Sequence, residues 1–276
     1  MESITTSIPT ILPSPAASLK AWARVGFASI GFVYLVLGVL ATMAALGVRG
    51  SDTPNQQEVF QTIQHMPLGQ VLLWLVAGGL LGYVAWRLAQ ALLDTERQGA
   101  AAKGLAFRGF YVFSGLLYAM LAFYAAKIAW YGRLPREDDA SRSALRSVLH
   151  HEYGQELLAL VGLVVLSAGA IQVYRAWSGK FDTDVQHSPF SYAQRRLVYR
   201  MGQVGYSARG VVLLIMGYFC FMAAQHANVN EIRDTEGCFQ ALEAMSPDVL
   251  GIVALGLVIY GVYMFIQARF PILRGL

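Results

Sequence analysis

The sequence predicts an all-α integral membrane protein, a bundle of six transmembrane helices made of three repeated helix hairpins. The chain has 276 residues, of which 56% are hydrophobic and 14% charged, whereas a soluble domain carries about 25% charged residues. Its apolar stretches reach the roughly 17 to 25 residues that a helix needs to cross about 30 Å of hydrocarbon. They lack the two-residue alternation of a barrel strand. An internal repeat then determines how the helices are grouped.

The repeat is clearest in the stretch GYSARGVVLLIMG, residues 205–217. Its glycines recur in the first third of the chain at an offset of 179, and a glycine, an arginine and a second glycine recur in the middle third at an offset of 101. Such self-similarity identifies a repeat architecture. Glycines let membrane helices approach closely, so we predict a helix-packing role for Gly26, Gly31, Gly38, Gly104, Gly109, Gly205, Gly210 and Gly217.

The six spans are predicted from the apolar stretches in chain order. The first is longer than the apolar core of a signal peptide, about 7 to 15 residues, and it matches the third and fifth spans, so we expect it to be retained. The spans are placed at 25–46, 71–92, 107–127, 157–177, 205–225 and 249–268.

Each repeat is predicted to be a span, a short amphipathic helix on the outer surface, and a return span. In the first repeat Thr53 is the expected N-cap of the short helix and Pro54 its first residue. Apolar residues at helical spacing indicate one buried face. The three short helices are expected at 54–66, 141–151 and 235–246.

The return spans also match, with Tyr83 and Gln90 of the first repeat corresponding to Tyr260 and Gln267 of the third at an offset of 177. Three hairpins of the same orientation favour a pseudo-threefold arrangement about an axis along the membrane normal. The chain therefore divides into a mobile tail (1–19), repeat 1 (20–97), repeat 2 (98–180) and repeat 3 (195–270), which together form one membrane domain.

The opening of the fifth span carries a family resemblance. Its residues Gly205, Tyr206, Ala208, Arg209 and Gly210 resemble the Gly-aromatic-x-Ala-Arg-Gly-type string of a bacterial membrane family called domain of unknown function 1206, which has a triplicated two-span unit. The first repeat matches this string in part, with Ile30 in place of the arginine. The resemblance covers about residues 20 to 270, and it implies the fold and an inner-membrane location but no activity.

Lysine and arginine residues indicate the orientation. The predicted side with both termini holds 14 of the 21 Lys and Arg and 5 of the 17 Asp and Glu, a net charge of 14 − 5 = +9. The opposite side has 7 − 12 = −5. The excess of cations places both termini in the cytoplasm, in the inner (plasma) membrane of a bacterium. The overall charge of +4 then reflects topology, and we expect no nucleic-acid partner.

Arginines near the cytoplasmic boundary are the candidate contacts for an anionic lipid headgroup or ligand, with topology anchoring as the alternative. They are Arg24, Arg108, Arg195, Arg196, Arg200 and Arg209. We expect Arg209, whose copy is Arg108, to bind a lipid phosphate or a helix C-terminal carbonyl at the cytoplasmic rim. Arg87 is the most interior cation, with Asp94 and Glu96 as its nearest acids along the helix.

The sequence lacks the spacing of a catalytic site. Neither a nucleophile elbow, a P-loop nor a zinc-protease motif is present, and no predicted span has a carboxylate near its middle. His65 and His150 occupy equivalent repeat positions, but Ala244 in the third repeat argues against a threefold metal site. We expect no enzyme activity, no metal, haem or other cofactor, and two free cysteines.

Two hypotheses for the function remain. The first is a non-catalytic membrane protein that associates with membrane lipids or a membrane protein partner. The second is a channel or transporter for a small solute or ion along the pseudo-threefold axis. Inward-facing polar residues would distinguish them, and their small number favours the first hypothesis. The candidates are Tyr34, Thr42, Ser114, Tyr118, Ser167, Gln172 and Tyr218.

Overall fold

The computed structural model describes residues 15–48, 53–94, 99, 101–132, 147, 153–185, 190–228 and 231–272. Within these ranges the regular secondary structure is helical, apart from one isolated bridge between Val185 and Pro271. The α-helices are α1 (Pro15–Ala45), α2 (Gln56–His65), α3 (Gly69–Leu93), α4 (Ala102–Tyr131), α5 (Gly154–Ser178), α6 (Tyr192–Gln225), α7 (Thr235–Met245) and α8 (Pro247–Arg269).

Six of these helices, α1, α3, α4, α5, α6 and α8, are long and apolar enough to cross a membrane. The predicted all-α multi-pass bundle is therefore confirmed. Two helices start well before the predicted spans. Helix α1 begins at Pro15, inside the expected mobile tail, and α6 begins at Tyr192, where Ser191 and Gln194 form a capping box. Residues 1–14 lie outside the described part of the chain.

The six long helices pack antiparallel in the order α4, α3, α1, α8, α6, α5. Repeat 1 contributes α1 and α3, repeat 2 contributes α4 and α5, and repeat 3 contributes α6 and α8. The two helices of repeat 1 pack together, as do those of repeat 3. Among the described residues, α4 and α5 make no extensive contact with each other, so the middle hairpin is open.

Glycines set the helix spacing in equivalent ways in repeats 1 and 3. A Cβ added to Gly26 would lie 2.8 Å from Cβ of Tyr83, and one added to Gly205 would lie 2.7 Å from Cα of Tyr260. Tyr83 and Tyr260 are themselves repeat counterparts. The two hairpins therefore close through the same glycine and tyrosine contact.

Contacts between repeats use the next glycines along the same helices. An added Cβ on Gly31 would lie 2.8 Å from the carbonyl oxygen of Gly261 on α8, and one on Gly210 would lie 3.1 Å from that of Gly169 on α5. Deeper in the bundle, Gly38 faces α8 and Gly217 faces α5 at similarly short distances. These equivalent contacts support the pseudo-threefold relation of the repeats.

The middle repeat departs from the predicted glycine packing. A Cβ added to Gly109 would meet no neighbouring atom within 4 Å, although the sequence alignment pairs Gly109 with Gly31 and Gly210. The packing role predicted for Gly109 is therefore corrected. The physical reason is that α4 faces α3 with Gly115 instead. A Cβ added to Gly115 would lie 3.5 Å from Cβ of Arg87, and one added to Gly31 would lie 3.1 Å from Cβ of Met264, the repeat counterpart of Arg87. Gly104 is buried near the start of α4.

The short helices α2 and α7 occupy corresponding places, as predicted. Helix α2 buries Val59, Phe60 and Ile63, and α7 buries Cys238 and Phe239. Each of these five side chains has an exposed fraction of 0%, so the buried faces anchor the short helices to the bundle.

The caps of the short helices correct one prediction. The N-cap of α2 is Asn55, whose Oδ1 accepts a hydrogen bond from the backbone N–H of Glu58 at 2.8 Å, rather than Thr53. Asn55 Nδ2 also donates to a carboxylate oxygen of Glu236 on α7 at 3.0 Å, which joins repeats 1 and 3 at this end. The predicted middle helix, 141–151, lies outside the described residues apart from Ser147.

Both cysteines are free, as predicted. Cys238 is fully buried beneath α7, and this burial raises the pKa of its thiol to about 12. A thiol that stays protonated at neutral pH is a poor nucleophile, so Cys238 is a packing residue.

Candidate functional site

The candidate site is formed around Arg209, near the middle of α6. Its guanidinium reaches three tyrosine hydroxyls, one from each repeat. Nε donates to Tyr34 at 3.0 Å, Nη1 to Tyr260 at 2.7 Å and Nη2 to Tyr118 at 2.7 Å. We call Arg209 with these three tyrosines the Arg209 cage.

The cage lies deep in the bundle, because all four residues stand near the middle of long helices. Tyr118 and Tyr260 have exposed fractions of 6% and 2%, while Arg209 and Tyr34 are partly buried. The predicted place of Arg209 at the cytoplasmic rim is therefore corrected. The sequence-based span began at residue 205, but α6 extends thirteen residues further towards its N-terminus, to Tyr192, which places Arg209 in the helix interior.

Among the described residues, no carboxylate pairs with the positive charge of Arg209. Its interactions with the described residues are the three hydrogen bonds and two ring contacts, in which Cζ lies 5.3 Å from the Tyr34 ring centroid and 5.2 Å from that of Tyr260. An unpaired arginine on an isolated helix at the membrane centre costs from about 2.5 to 17 kcal/mol, depending on how it is measured. The tyrosine oxygens reduce this cost but leave the net charge in place.

The cage has more hydrogen-bond donors than its three tyrosine oxygens accept from Arg209. A guanidinium has five N–H donors and no acceptor, and three of them are used by the tyrosines. Each tyrosine accepts from Arg209 and keeps its own O–H, for which the described residues provide no acceptor. A cationic group surrounded by spare O–H and N–H donors is complementary to an anion.

Further aromatic rings surround the cage. The ring of Tyr83 lies 4.7 Å from that of Tyr118, and the ring of Tyr206 lies 5.5 Å from that of Tyr260, both in edge-to-face geometry. Phe181 is fully buried and lies 5.6 Å from the Tyr206 ring. These rings extend the aromatic surroundings of the cage.

A second interior arginine, Arg87 on α3, adjoins the same rings. Its Nη1 donates to Oε1 of Gln90 at 3.0 Å, and its Cζ lies 4.9 Å from the ring centroid of Tyr83 and 5.4 Å from that of Tyr111. Arg87 therefore bonds to Gln90, one turn along the helix, and not to Asp94, the nearest described acid on the same helix. Glu96 lies outside the described residues.

Arg108, the repeat counterpart of Arg209, occupies the helix end that was predicted for Arg209. Its Nε donates to the carbonyl of Ala91 at 2.6 Å and its Nη2 to that of Leu92 at 3.4 Å, where α3 ends. A cation at this point satisfies the last carbonyls of the helix and the negative end of its dipole. Two copies of one sequence motif thus serve different purposes.

The remaining candidate arginines lie near the N-terminal ends of α1 and α6. Arg24, Arg195, Arg196 and Arg200 have exposed side chains. The predicted contact of these four residues with anionic lipid stays a prediction.

Sequence reasoning named Tyr34 and Tyr118 as inward polar residues but missed that they bind Arg209. It also paired Tyr83 with Tyr260 as repeat counterparts without assigning them to a site. A usable signal was present, because Ser191 followed by Gln194 is a capping box that starts α6 early and moves Arg209 to mid-helix. The contact of Arg209 on α6 with tyrosines from three other helices, however, depends on tertiary packing.

Comparison with known proteins gives three matches to one family model. The model of Domain of Unknown Function (DUF1206) matches residues 25–94, 110–179 and 204–271. The chain is also similar to the Uncharacterized protein YxxB of Bacillus subtilis (strain 168), with 30% identity over 253 residues that cover 90% of each chain. No solved structure matches.

Proposed function

The chain belongs to the DUF1206 family, and we propose that it is a non-catalytic membrane protein that binds a small monovalent anion at the Arg209 cage and conducts or transports it. This corresponds to the channel or transporter hypothesis, with the ion specified as an anion. The observation that carries the proposal is the charge of Arg209, which lies among tyrosines from all three repeats and pairs with no carboxylate of the described residues.

The competing explanation is that Arg209 only cross-links the helices. The excess of hydrogen-bond donors over acceptors in the cage argues that cross-linking is not its whole role. A neutral polar residue could join three tyrosines without the cost of a buried charge. An ionisable side chain inside a membrane bundle is by default a functional-site candidate, and rings of Arg or Lys are the selective elements of anion pores. An anion at the cage would neutralise Arg209 and accept the spare O–H and N–H donors.

The location of the cage supports conduction or transport rather than simple binding. Solute sites of many transporters lie near the membrane midplane, at the interface of internal repeats. The three tyrosines come from α1, α4 and α8, one helix of each repeat, so a ligand there could sense movements between repeats. We place the protein in the bacterial inner membrane with both termini in the cytoplasm, as the charge asymmetry of the sequence indicates.

The proposal is tested with the purified protein in liposomes loaded with potassium iodide. We expect iodide efflux, measured with an iodide electrode, to be faster than in protein-free liposomes once valinomycin balances the charge. Replacing iodide with gluconate, a much larger anion, should give no flux of the anion. Two results together would overturn the proposal. Iodide efflux would equal that of protein-free liposomes, and iodide would stabilise the detergent-solubilised protein against heat no more than gluconate does.

Association with anionic lipid is a second candidate function, favoured by the four exposed arginines at one end of the bundle. Arginine clusters next to a membrane helix attract anionic headgroups. We expect anionic phosphatidylglycerol to stabilise the parent protein against heat more than neutral phosphatidylcholine does. A triple variant, Arg195→Gln, Arg196→Gln and Arg200→Gln, should lose most of this difference.

The control for the lipid experiment is Arg233→Gln, because Arg233 is also exposed but precedes α7 at the opposite end of the bundle. This variant should retain the full lipid effect. Equal stabilisation of the parent and the triple variant by phosphatidylglycerol would leave the three arginines as topology determinants.

A further inference from the structure

We infer that Arg87 forms a second position for the same small anion, between the Arg209 cage and the end of the bundle where α3 ends. This inference rests on the proposed function, because it extends the anion path from the cage. It specifies which helices the path follows and which residue the anion reaches next.

The surroundings of Arg87 resemble those of Arg209 in composition. Gln90 and two aromatic rings, those of Tyr83 and Tyr111, contact the guanidinium. Gln90, Tyr83 and Tyr111 are all buried. Within the described part of the chain, Arg87 has no ion-pair partner, and its buried Nε has no hydrogen-bond acceptor. A buried donor without an acceptor is rare and costly, and an anion would satisfy both the donor and the charge.

The two arginine sites share a wall. Tyr83 contacts Arg87 with its ring face, and the same ring lies 4.7 Å from Tyr118, which binds Arg209 through its hydroxyl. An anion leaving the cage along the α3 and α4 interface therefore meets Arg87 next. Beyond Arg87, Arg108 lies against the last carbonyls of α3.

The second position breaks the pseudo-threefold symmetry. The repeat counterparts of Arg87 are Gln172 in repeat 2 and Met264 in repeat 3, so among these three aligned positions only that of repeat 1 carries a cation. A path with two sites lets an ion move in steps, because each site binds the ion weakly enough to release it again. We therefore place the exit route at α3 and α4, and not along the axis itself.

Bromide provides a direct test, because its anomalous diffraction locates it in crystals of the full-length protein grown in sodium bromide. We expect two peaks, one within hydrogen-bond distance of Arg209 and one at Arg87. The variant Arg87→Met installs the residue that repeat 3 has naturally, so the fold should tolerate it. It should lose the second peak, keep the first, and reduce iodide efflux about tenfold, as the loss of one charged hydrogen-bond donor implies.

Two further variants separate charge from packing. Arg87→Lys keeps the charge and should keep the second peak, whereas Gln172→Met, the same substitution at the repeat counterpart, should leave both peaks and the efflux unchanged. A single peak at Arg209 with normal efflux in Arg87→Met overturns the second position and leaves the proposed function standing. The lack of any peak at Arg209, with efflux equal to that of protein-free liposomes, overturns both.

Discussion

Replacing Arg209 with isoleucine should reduce iodide efflux about 100-fold or more while leaving the bundle folded. The substitution removes the only formal charge of the Arg209 cage and all of its N–H donors. Each hydrogen bond to a charged group contributes about 1.5 to 3 kcal/mol, which corresponds to roughly 10-fold to 150-fold in binding. Isoleucine is chosen because Ile30 stands at the equivalent place in repeat 1.

The comparison with lysine separates charge from geometry. Arg209→Lys keeps the charge but cannot reach three hydroxyls with a planar fork, so its efflux should lie between those of the parent and the isoleucine variant. Arg108→Ile is the matched control, because Arg108 is the repeat counterpart but bonds to the end of α3. Parent-like efflux in Arg209→Ile, combined with a lower melting temperature, would identify the cage as a structural cross-link.

The outcome for stability is informative in its own right. Removing a buried cation relieves its desolvation cost, and this gain offsets the loss of the three hydrogen bonds to neutral tyrosines. We therefore expect Arg209→Ile to melt at or above the temperature of the parent without iodide, and to lose the stabilisation by iodide. This pattern of lost function with retained stability is typical of a residue kept for its activity.

The fold was predictable from the sequence because lipid imposes simple rules. A bilayer core admits only long helices or closed barrels, and the glycine repeat gave the grouping of the six helices. The boundaries were less accurate where capping extended a helix beyond its apolar stretch, as at Tyr192.

The site was predictable only in part. Sequence repetition suggested that Arg108 and Arg209 have equivalent surroundings, yet one binds helix carbonyls and the other binds tyrosines. The difference arises because Arg108 stands six residues after the start of α4, whereas Arg209 stands seventeen residues after the start of α6. Repeat alignment carries no information on such a broken symmetry, so the depth of Arg209 required the tertiary structure.

Substitution of the packing glycines should give the second large effect, a change in melting temperature. Gly109, which does not pack closely, is the control position. Gly210→Ala should lower the melting temperature in detergent, because the new Cβ would lie 2.7 Å from Cγ2 of Val173 and 3.1 Å from the carbonyl oxygen of Gly169. Inserting a group into a closely packed interface costs about 1 to 3 kcal/mol. For a chain of this size each kcal/mol corresponds to roughly 2 to 4 °C.

Gly109→Ala, the same substitution at the position that the sequence alignment pairs with Gly210, should raise the melting temperature. No neighbouring atom lies within 4 Å of its added Cβ, and replacing a helical glycine with alanine stabilises a helix by about 0.5 to 1 kcal/mol through the lower entropy of the unfolded chain. Gly217→Ala should be the most damaging of the three, because its Cβ would lie 2.5 Å from the backbone nitrogen of Leu166, which cannot move aside as a side chain can. Differential scanning fluorimetry of the three variants measures the order directly. If Gly109→Ala and Gly210→Ala lowered the melting temperature equally, close helix approach would not explain the difference between these two glycines.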